Sequence, residues 1–144
     1  EFEKTLADAM VVIKFVRNHQ HVLSAFQTKR ETFKIKHHLV LVVPTRWYSH
    51  YNACRYLRAA KFAVQALLEE DVAPVLKAIQ NQTTVEKLKS LAGSPSFWSR
   101  LRKITSVLKF PSEIIGNFEK DTCDLYEVYH CFTLFCYRLL GTRS

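Results

Sequence analysis

The sequence predicts a mainly α-helical globular fold, with six or seven helices and one short strand, on three observations. The chain has 144 residues, 48% of them hydrophobic, and only three glycines and four prolines, so it holds enough apolar surface for a core and few residues that break helices. Apolar residues recur three or four positions apart along most of the chain, which is the helical period. One run of Leu and Val at residues 39–43 departs from that period and is typical of a buried strand.

The N-terminal elements are a long amphipathic helix and this strand. The helical period runs from residue 2 to about residue 28. The strand ends at Pro44, which has no amide proton with which to continue pairing. Because a lone strand cannot satisfy its own backbone groups, we expect it to need sheet partners that are not evident in this chain.

A second helix follows the strand. Pro44 and Thr45 form a turn, and Thr45 is predicted to cap a helix that carries Arg46 and Trp47 in its first turn. An apolar face of this helix is formed by Ala53, Leu57, Ala60, Val64 and Leu67. An aromatic and cationic face is formed by Tyr48, Tyr51, Arg55 and Arg58.

Two shorter helices are predicted next. The acidic run at residues 69–71 interrupts the helical pattern, and Asp71 is the candidate cap of a short helix that ends near Gln80. A partial capping box at residues 83–86 predicts a further helix to Leu91.

The C-terminal helices begin at recognisable caps. Ser94 at the N-cap and Pro95 at the first helical position predict a helix in which Trp98 is a core residue. Pro111 is expected to kink or end that helix. Residues 121–122 (Asp-Thr) are expected to cap the last helix.

Charge is distributed unevenly along the chain. The formal net charge is +8; residues 29–61 hold eight basic residues and one acid, and residues 87–109 hold six basic residues and no acid. Basic clusters favour nucleic-acid phosphates or anionic membrane surfaces. An ordinary solvated face has the same composition, so charge alone leaves both interpretations open.

The four cysteines predict free thiols rather than a zinc site or a disulfide framework. Cys123, Cys131 and Cys136 lie in one apolar, aromatic-rich segment, where a reduced cysteine behaves as a small hydrophobe. Together with Cys54 they are expected to be buried, in a protein that works in a reducing compartment. We expect no metal and no cofactor.

No set of catalytic residues is evident. The sequence lacks the glycine-rich nucleotide motifs, the HExxH zinc motif and the GxSxG serine motif. None of its four aspartates follows a strand, where the carboxylates of a two-metal nucleotidyl-transfer site usually lie. We therefore expect a chain that is not an enzyme and has no small-molecule substrate.

Residues 44–51, Pro-Thr-Arg-Trp-Tyr-Ser-His-Tyr, resemble the PTRWNS-type motif of the hAT superfamily of DNA transposases. The likeness continues in order along the chain. Residues 97–111 are similar to the family's W-x-x-(I/L)…(I/L)LKPF stretch, with Phe110 and Pro111 transposed. Residues 119–129 are similar to its LE-x-D…LS-x-V stretch.

The resemblance implies a ribonuclease-H-like fold interrupted by an all-α insertion. Residues 1–51 would be the end of the ribonuclease-H-like core and residues 52–144 the α-helical insertion domain, and the partners of the strand would lie upstream. The family's metal-binding carboxylates match no residue here, so the resemblance implies a segment that does not cleave DNA. The helical period is already running at Phe2, and we expect a piece of a longer polypeptide.

The resemblance also assigns DNA contacts. In the family the motif's tryptophan stacks on a flipped base and its arginine contacts the nearby backbone; these residues correspond to Trp47 and Arg46. Trp47 equally fits a core aromatic that packs the helix onto the strand. The expected DNA-binding residues are Arg46, Trp47, Tyr51, Arg55, Arg58 and Lys61, with a second basic zone at Arg100, Arg102 and Lys103.

Two functions remain open. The first is a non-catalytic segment derived from a hAT transposase, including a domesticated copy, that contacts DNA in the nucleus. The second is a helical protein-interaction module, in a transcriptional regulator or a pathogen effector acting in host cells, which includes a homodimer. A membrane role is not expected, because the longest apolar runs fall far short of the roughly 20 residues that span a bilayer and no helix combines a large apolar face with a dense basic one.

Overall fold

The chain forms helices where the helical period of its apolar residues is sustained. The computed structural model describes residues 1–71, 74, 76 and 79–141, and over these residues the fold is all-α. Its seven helices are α1 (Phe2–Asn18), α2 (Gln20–Thr32), α3 (Trp47–Ala59), α4 (Lys61–Ala66), α5 (Gln82–Gly93), α6 (Pro95–Phe118) and α7 (Leu125–Gly141). A π-helical turn (Leu67–Asp71) follows α4. The short helix predicted up to Gln80 lies outside the described residues. Among the helices of this range, none has the length and apolar character needed to cross a membrane.

The strand predicted at residues 39–43 is absent, and that prediction is wrong. Residues 36–43 are irregular, and none of the amides of residues 36–42 donates a hydrogen bond. A strand is defined by the neighbour that accepts its backbone hydrogen bonds, and no residue in the described range takes that place. The segment is instead anchored to α1, because Leu39 is buried and its carbonyl accepts a 2.7 Å hydrogen bond from Arg17 Nη1.

The single N-terminal helix predicted from residue 2 to residue 28 is two helices. His19 has extended backbone angles, φ −107° and ψ 106°, and separates α1 from α2. Its ring lies 4.5 Å from the Phe15 ring, and its Nδ1 lies 2.8 Å from the Phe15 carbonyl oxygen. The apolar period continues across the break, which is why the pattern did not reveal it.

The helix caps are partly as predicted. The Ser94 hydroxyl accepts a 3.4 Å hydrogen bond from the Phe97 amide, which confirms the start of α6 at Pro95. Helix α5 is capped by Asn81, whose Oδ1 accepts from the Thr84 amide at 3.2 Å, rather than by the capping box predicted at residues 83–86.

The C-terminal helices agree with the prediction in part. Helix α6 runs through Pro111 to Phe118, so of the two predicted effects of the proline, a kink or an end, the end is excluded. Helix α7 starts after Asp124, whose Oδ1 accepts a 2.8 Å hydrogen bond from the Glu127 amide. The predicted cap at residues 121–122 is therefore two residues too early.

The described contacts divide the chain into two compact units, Glu1–Thr105 and Ser106–Ser144, and the boundary falls within α6. In the first unit α1 packs against α2, α3 and α5, and α4 packs against α2 and α5. The largest fully buried side chains of this unit are Phe26, Phe97, Ile13, Leu57, Leu67, Leu76, Leu88 and Leu101. In the second unit the rings of Phe110 and Phe135 are stacked 6.0 Å apart, and the Arg138 guanidinium lies 4.4 Å from the centre of the Phe110 ring.

All four cysteines are free. Cys54 is buried, and burial raises its pKa to about 11, so it remains a neutral thiol at neutral pH. Cys123, Cys131 and Cys136 are half-buried. Desolvation and the neighbouring Glu127 carboxylate raise the pKa of Cys123. The expectation of buried thiols is thus confirmed for Cys54 only.

Lys34 has a left-handed backbone conformation that is unfavourable for a residue with a side chain. Its φ of 54° is the one positive value found for a non-glycine residue in the described range. It follows α2 directly, where the amides of Lys34 and Ile35 donate to the carbonyls of Glu31 and Arg30 at 3.0 and 2.9 Å. Glycine usually occupies this left-handed position after a helix. We expect Lys34→Gly to raise the free energy of unfolding by about 1 kcal/mol, measured by urea denaturation.

The matched control is Lys36→Gly, because Lys36 is exposed, lies two residues away and has no positive φ. Glycine there only adds freedom to the unfolded chain and should lower stability or leave it unchanged. Equal effects of the two substitutions would show that Lys34 is not strained.

Candidate nucleic-acid interface

The turn before α3 is held by the Ser49 hydroxyl. Its Oγ accepts a 2.9 Å hydrogen bond from the Val43 amide and lies 2.7 Å from the Arg46 carbonyl oxygen, to which it donates. The Arg46 amide donates to the Val43 carbonyl at 3.0 Å and closes the turn. Arg46 occupies the N-cap position of α3 without a side-chain cap, so the cap predicted at Thr45 is not formed. This turn fixes the direction in which α3 begins.

Trp47, the first residue of α3, projects into solvent. Its side chain is 66% exposed, the neighbouring Tyr48 is 40% exposed, and the nearest aromatic ring is that of His50, 6.1 Å away between centroids. The alternative that Trp47 is a core aromatic is therefore wrong. Trp98, by contrast, is 5% exposed and its Nε1 donates to the Ala92 carbonyl at 2.8 Å, which confirms it as a core residue.

About two turns further along α3, Arg55 lies between two tyrosines. Its guanidinium carbon is 6.0 Å from the centre of the Tyr51 ring and 5.9 Å from that of the Tyr56 ring. Tyr56 is in turn stacked on His37, with centroids 4.4 Å apart and planes 15° apart. Tyr51 is buried, Tyr56 is half-buried and Arg55 is exposed, so the rings orient the guanidinium while its N–H groups remain in water.

Two members of this cluster were missed by sequence reasoning. Tyr56 follows Arg55 directly, so the sequence did indicate an aromatic ring next to this cation. His37 lies on the irregular segment 19 residues before Tyr56, and no sequence pattern places it against α3.

Arg58 and Lys61 complete the predicted set but occupy different surroundings. Arg58 is exposed on α3, eleven residues after Trp47, which is three helical turns and so the same face. Lys61 lies beyond the end of α3, and its Nζ is 5.8 Å from the Trp98 ring and 5.7 Å from the Phe62 ring. The structure therefore associates Lys61 with the start of α6.

The second predicted zone, on α6, is not a single patch. Arg100 Nη2 lies 3.8 Å from the Asp8 carboxylate of α1, and the side chains of Arg100 and Asp8 are 24% and 9% exposed. Arg102 and Lys103 are exposed. Arg102, two residues after Arg100, points to the opposite side of the helix, whereas Lys103, three residues after Arg100, lies on the same side. Much of the Arg100 charge is thus matched by Asp8.

The cations of α3 are not neutralised in the same way. Among the residues that the structure describes, no carboxylate lies within ion-pair distance of Arg46, Arg55 or Arg58. An exposed ring, three cations without an ion-pair partner and the uncapped start of α3 are the groups that bind bases and phosphates. Over the same described range no three histidine, cysteine or carboxylate side chains are grouped to hold a metal ion.

The Asp8–Arg100 pair makes a prediction about stability. We expect Asp8→Asn to lower the free energy of unfolding by about 1–2 kcal/mol, because it leaves the largely buried Arg100 guanidinium without its counter-charge. The double variant Arg100→Met/Asp8→Asn should lower the free energy of unfolding by less than the sum of the losses in the two single variants. Urea denaturation of the four proteins measures the coupling, and strictly additive effects would show that the pair contributes nothing.

Comparisons of the chain with protein-family models, with curated proteins and with solved structures gave no match.

Proposed function

We propose that the chain is a non-catalytic segment derived from a hAT transposase and that it contacts DNA through the surface centred on Arg46 and Trp47. The observation that carries the proposal is the exposure of Trp47, two-thirds in water, beside an exposed Arg46 at the start of α3. On this proposal residues 1–51 are the end of a ribonuclease-H-like core and residues 52–144 its α-helical insertion, and the protein acts in the nucleus.

The chemistry of this surface suits a base beside a phosphate backbone. A base stacked on an aromatic ring is stabilised by about 1–3 kcal/mol, and a guanidinium binds phosphate with two parallel hydrogen bonds. The first turn of α3 contains no acidic residue and no side-chain cap, so the amides of Trp47 and Tyr48 are available to an anion and the helix dipole favours one there.

Arg55 and Arg58 extend the surface along α3. Both are exposed, and they lie about two and three turns from Trp47 on the same side of the helix. A strand of nucleic acid with its unpaired base on Trp47 can place its following phosphates along these two cations. The order of contacts is then one base at the N-terminus of α3 and phosphates towards its C-terminus.

The test is fluorescence anisotropy with two labelled DNAs, a hairpin carrying one unpaired base beside the stem and the fully paired duplex, at about 50 and about 200 mM salt. We expect Arg46→Ala/Trp47→Ala to weaken binding to the unpaired-base hairpin at least fivefold more than binding to the duplex, since only the hairpin offers a base for stacking. The slope of log Kd against log salt should fall by about 1, for the phosphate contact that Arg46 makes.

The matched control is Phe2→Ala/Lys4→Ala, which also removes one exposed ring and one exposed cation but from the start of α1. It should leave both affinities nearly unchanged. Binding with no salt dependence, or equal losses in the two double variants, would contradict the proposal.

A second candidate function, a protein-interaction module, is favoured by residues 36–42. Their amides donate no hydrogen bond, and Leu41 and Val43 are 40% and 47% exposed beside the buried Leu39. A backbone segment that is anchored at one residue and has unpaired amides can accept a strand from another protein by becoming extended. The proposed occupant is an extended, β-branched segment of a partner protein.

Strand addition has a testable signature, because successive amides of a strand point in opposite directions. Leu41→Pro and Val42→Pro each remove one amide that donates no hydrogen bond in the folded chain. We expect only one of the two variants to lose a given partner, identified by mass spectrometry after capture with the wild-type chain. Partners lost with both variants, or with neither, would contradict strand addition.

A further inference from the structure

Helix α7 is the most apolar element of the chain and has no buried residue. Its 17 residues extend over about 25 Å. Apart from His130, its acidic and basic side chains are Glu127 and Arg138, which are eleven positions apart and therefore on one side of the helix.

That charged side is the one that faces α6 within the second unit. Arg138 lies over the Phe110 ring at 4.4 Å, and Phe135 is stacked on the same ring at 6.0 Å. The contact with Phe110 accounts for one side of α7. On the opposite side Phe118 of α6 is the neighbour of the first two turns of α7, across an open groove.

The side of α7 opposite Glu127 and Arg138 carries an apolar stripe at helical spacing. Its members lie within about one third of the helix circumference and are Leu125, Tyr129, Phe132, Cys136 and Leu140. Leu125, Tyr129 and Phe132 are 85%, 71% and 62% exposed. With Phe118 and Tyr126 they line an open apolar groove of about 690 Å³.

The exposed area is of the size that a stable interface requires. Four rings of α7 are 62–74% exposed, Tyr129 and Phe132 in the stripe and Tyr126 and Tyr137 on its flank. At about 150–250 Å² each they leave roughly 400–700 Å² of largely apolar surface before the leucines are added. A standard protein interface takes about 800 Å² from each partner. The largest apolar patch on an ordinary monomer is about 300–600 Å².

The order of residues along the stripe is self-complementary. In an antiparallel pair of α7 helices centred between Phe132 and Thr133, Leu125 of one copy lies opposite Leu140 of the other. In the same register Tyr129 lies opposite Cys136, and Phe132 lies opposite Thr133, so each ring meets a small side chain. The Thr133 hydroxyl already donates to the Tyr129 carbonyl at 2.8 Å. Burying this hydroxyl between the two copies therefore leaves no unsatisfied donor.

We propose that α7 pairs with α7 of a second copy of this chain, antiparallel and through this stripe. A two-fold axis makes the same patch serve both partners, and a face with neither acid nor base suits an equally uncharged face. The pairing goes beyond the proposed DNA contact and is independent of it, because no residue of the stripe belongs to the surface on α3.

The first test is sedimentation of the intact chain over a range of concentrations. We expect the wild type to reach twice the monomer mass and Phe132→Glu to weaken association at least tenfold, since the dimer would bury two carboxylates in an apolar seam. The control is Phe62→Glu, which places the same change on α4 at a phenylalanine that is 65% exposed, against 62% for Phe132. This control should associate like the wild type.

The second test fixes the register. In Tyr129→Cys the new thiol lies opposite Cys136 of the other copy, and mild oxidation should give a disulfide-linked dimer whose cross-linked peptide joins positions 129 and 136. Within one copy these positions are two helical turns apart, too far for a disulfide. Cross-linking of Cys136 to Cys136 in the wild type would indicate parallel pairing.

The inference is overturned if the wild type stays monomeric at every concentration, if the two Phe→Glu variants dissociate equally, or if the wild-type parallel cross-link forms. Co-sedimentation of a monomeric wild type with anionic lipid vesicles, lost in Phe132→Glu, would overturn it in favour of a membrane surface. Phe132→Glu should still bind DNA. Loss of association without loss of DNA binding would show that the two proposals stand or fail separately.

Discussion

Burial of one face of α1 is the constraint on which the first unit depends. Val12, Ile13 and Val16 are at most 1% exposed, and the helix packs against α2, α3 and α5 at once. Its polar residues then set the positions of other parts: Arg17 holds the irregular segment at the Leu39 carbonyl, and Asp8 pairs with Arg100 of α6. The exposed start of α3 is thus supported by a helix that contributes nothing to the surface itself.

The positive charge of the chain divides into two physical roles. Arg17, Arg30 and Arg100 make internal contacts: Arg17 with the Leu39 carbonyl, Arg30 with the carbonyls of the turn after α2, and Arg100 with Asp8. Arg46 and Arg55 remain directed to water. A count of basic residues along the sequence does not separate these roles, since what distinguishes them is whether a carbonyl or carboxylate lies within reach in the folded chain.

Some local features of the fold were predictable, and features that need a distant partner were not. Ser94 and Pro95 start α6 as expected because a cap and a fixed φ act within one turn of the chain. The run at residues 39–43 has the composition of a strand, but strand formation depends on a neighbour that the described chain lacks. In the candidate site, the sequence left open whether Trp47 is exposed or part of the core, and the folded chain decides for exposure. The stacking of His37 on Tyr56 joins residues 19 positions apart and has no sequence signature.

The position of Arg55 between Tyr51 and Tyr56 has a consequence for the thermodynamics of any association at α3. A long, flexible cation normally loses rotamer entropy when it is fixed against a ligand, at about 0.5–1.5 kcal/mol for one side chain. Here the two rings restrict the guanidinium before a ligand arrives, and a planar fork is better suited to such preorganisation than a lysine ammonium. Arg55 therefore enters a complex with part of its ordering already complete, so more of its electrostatic attraction appears as affinity.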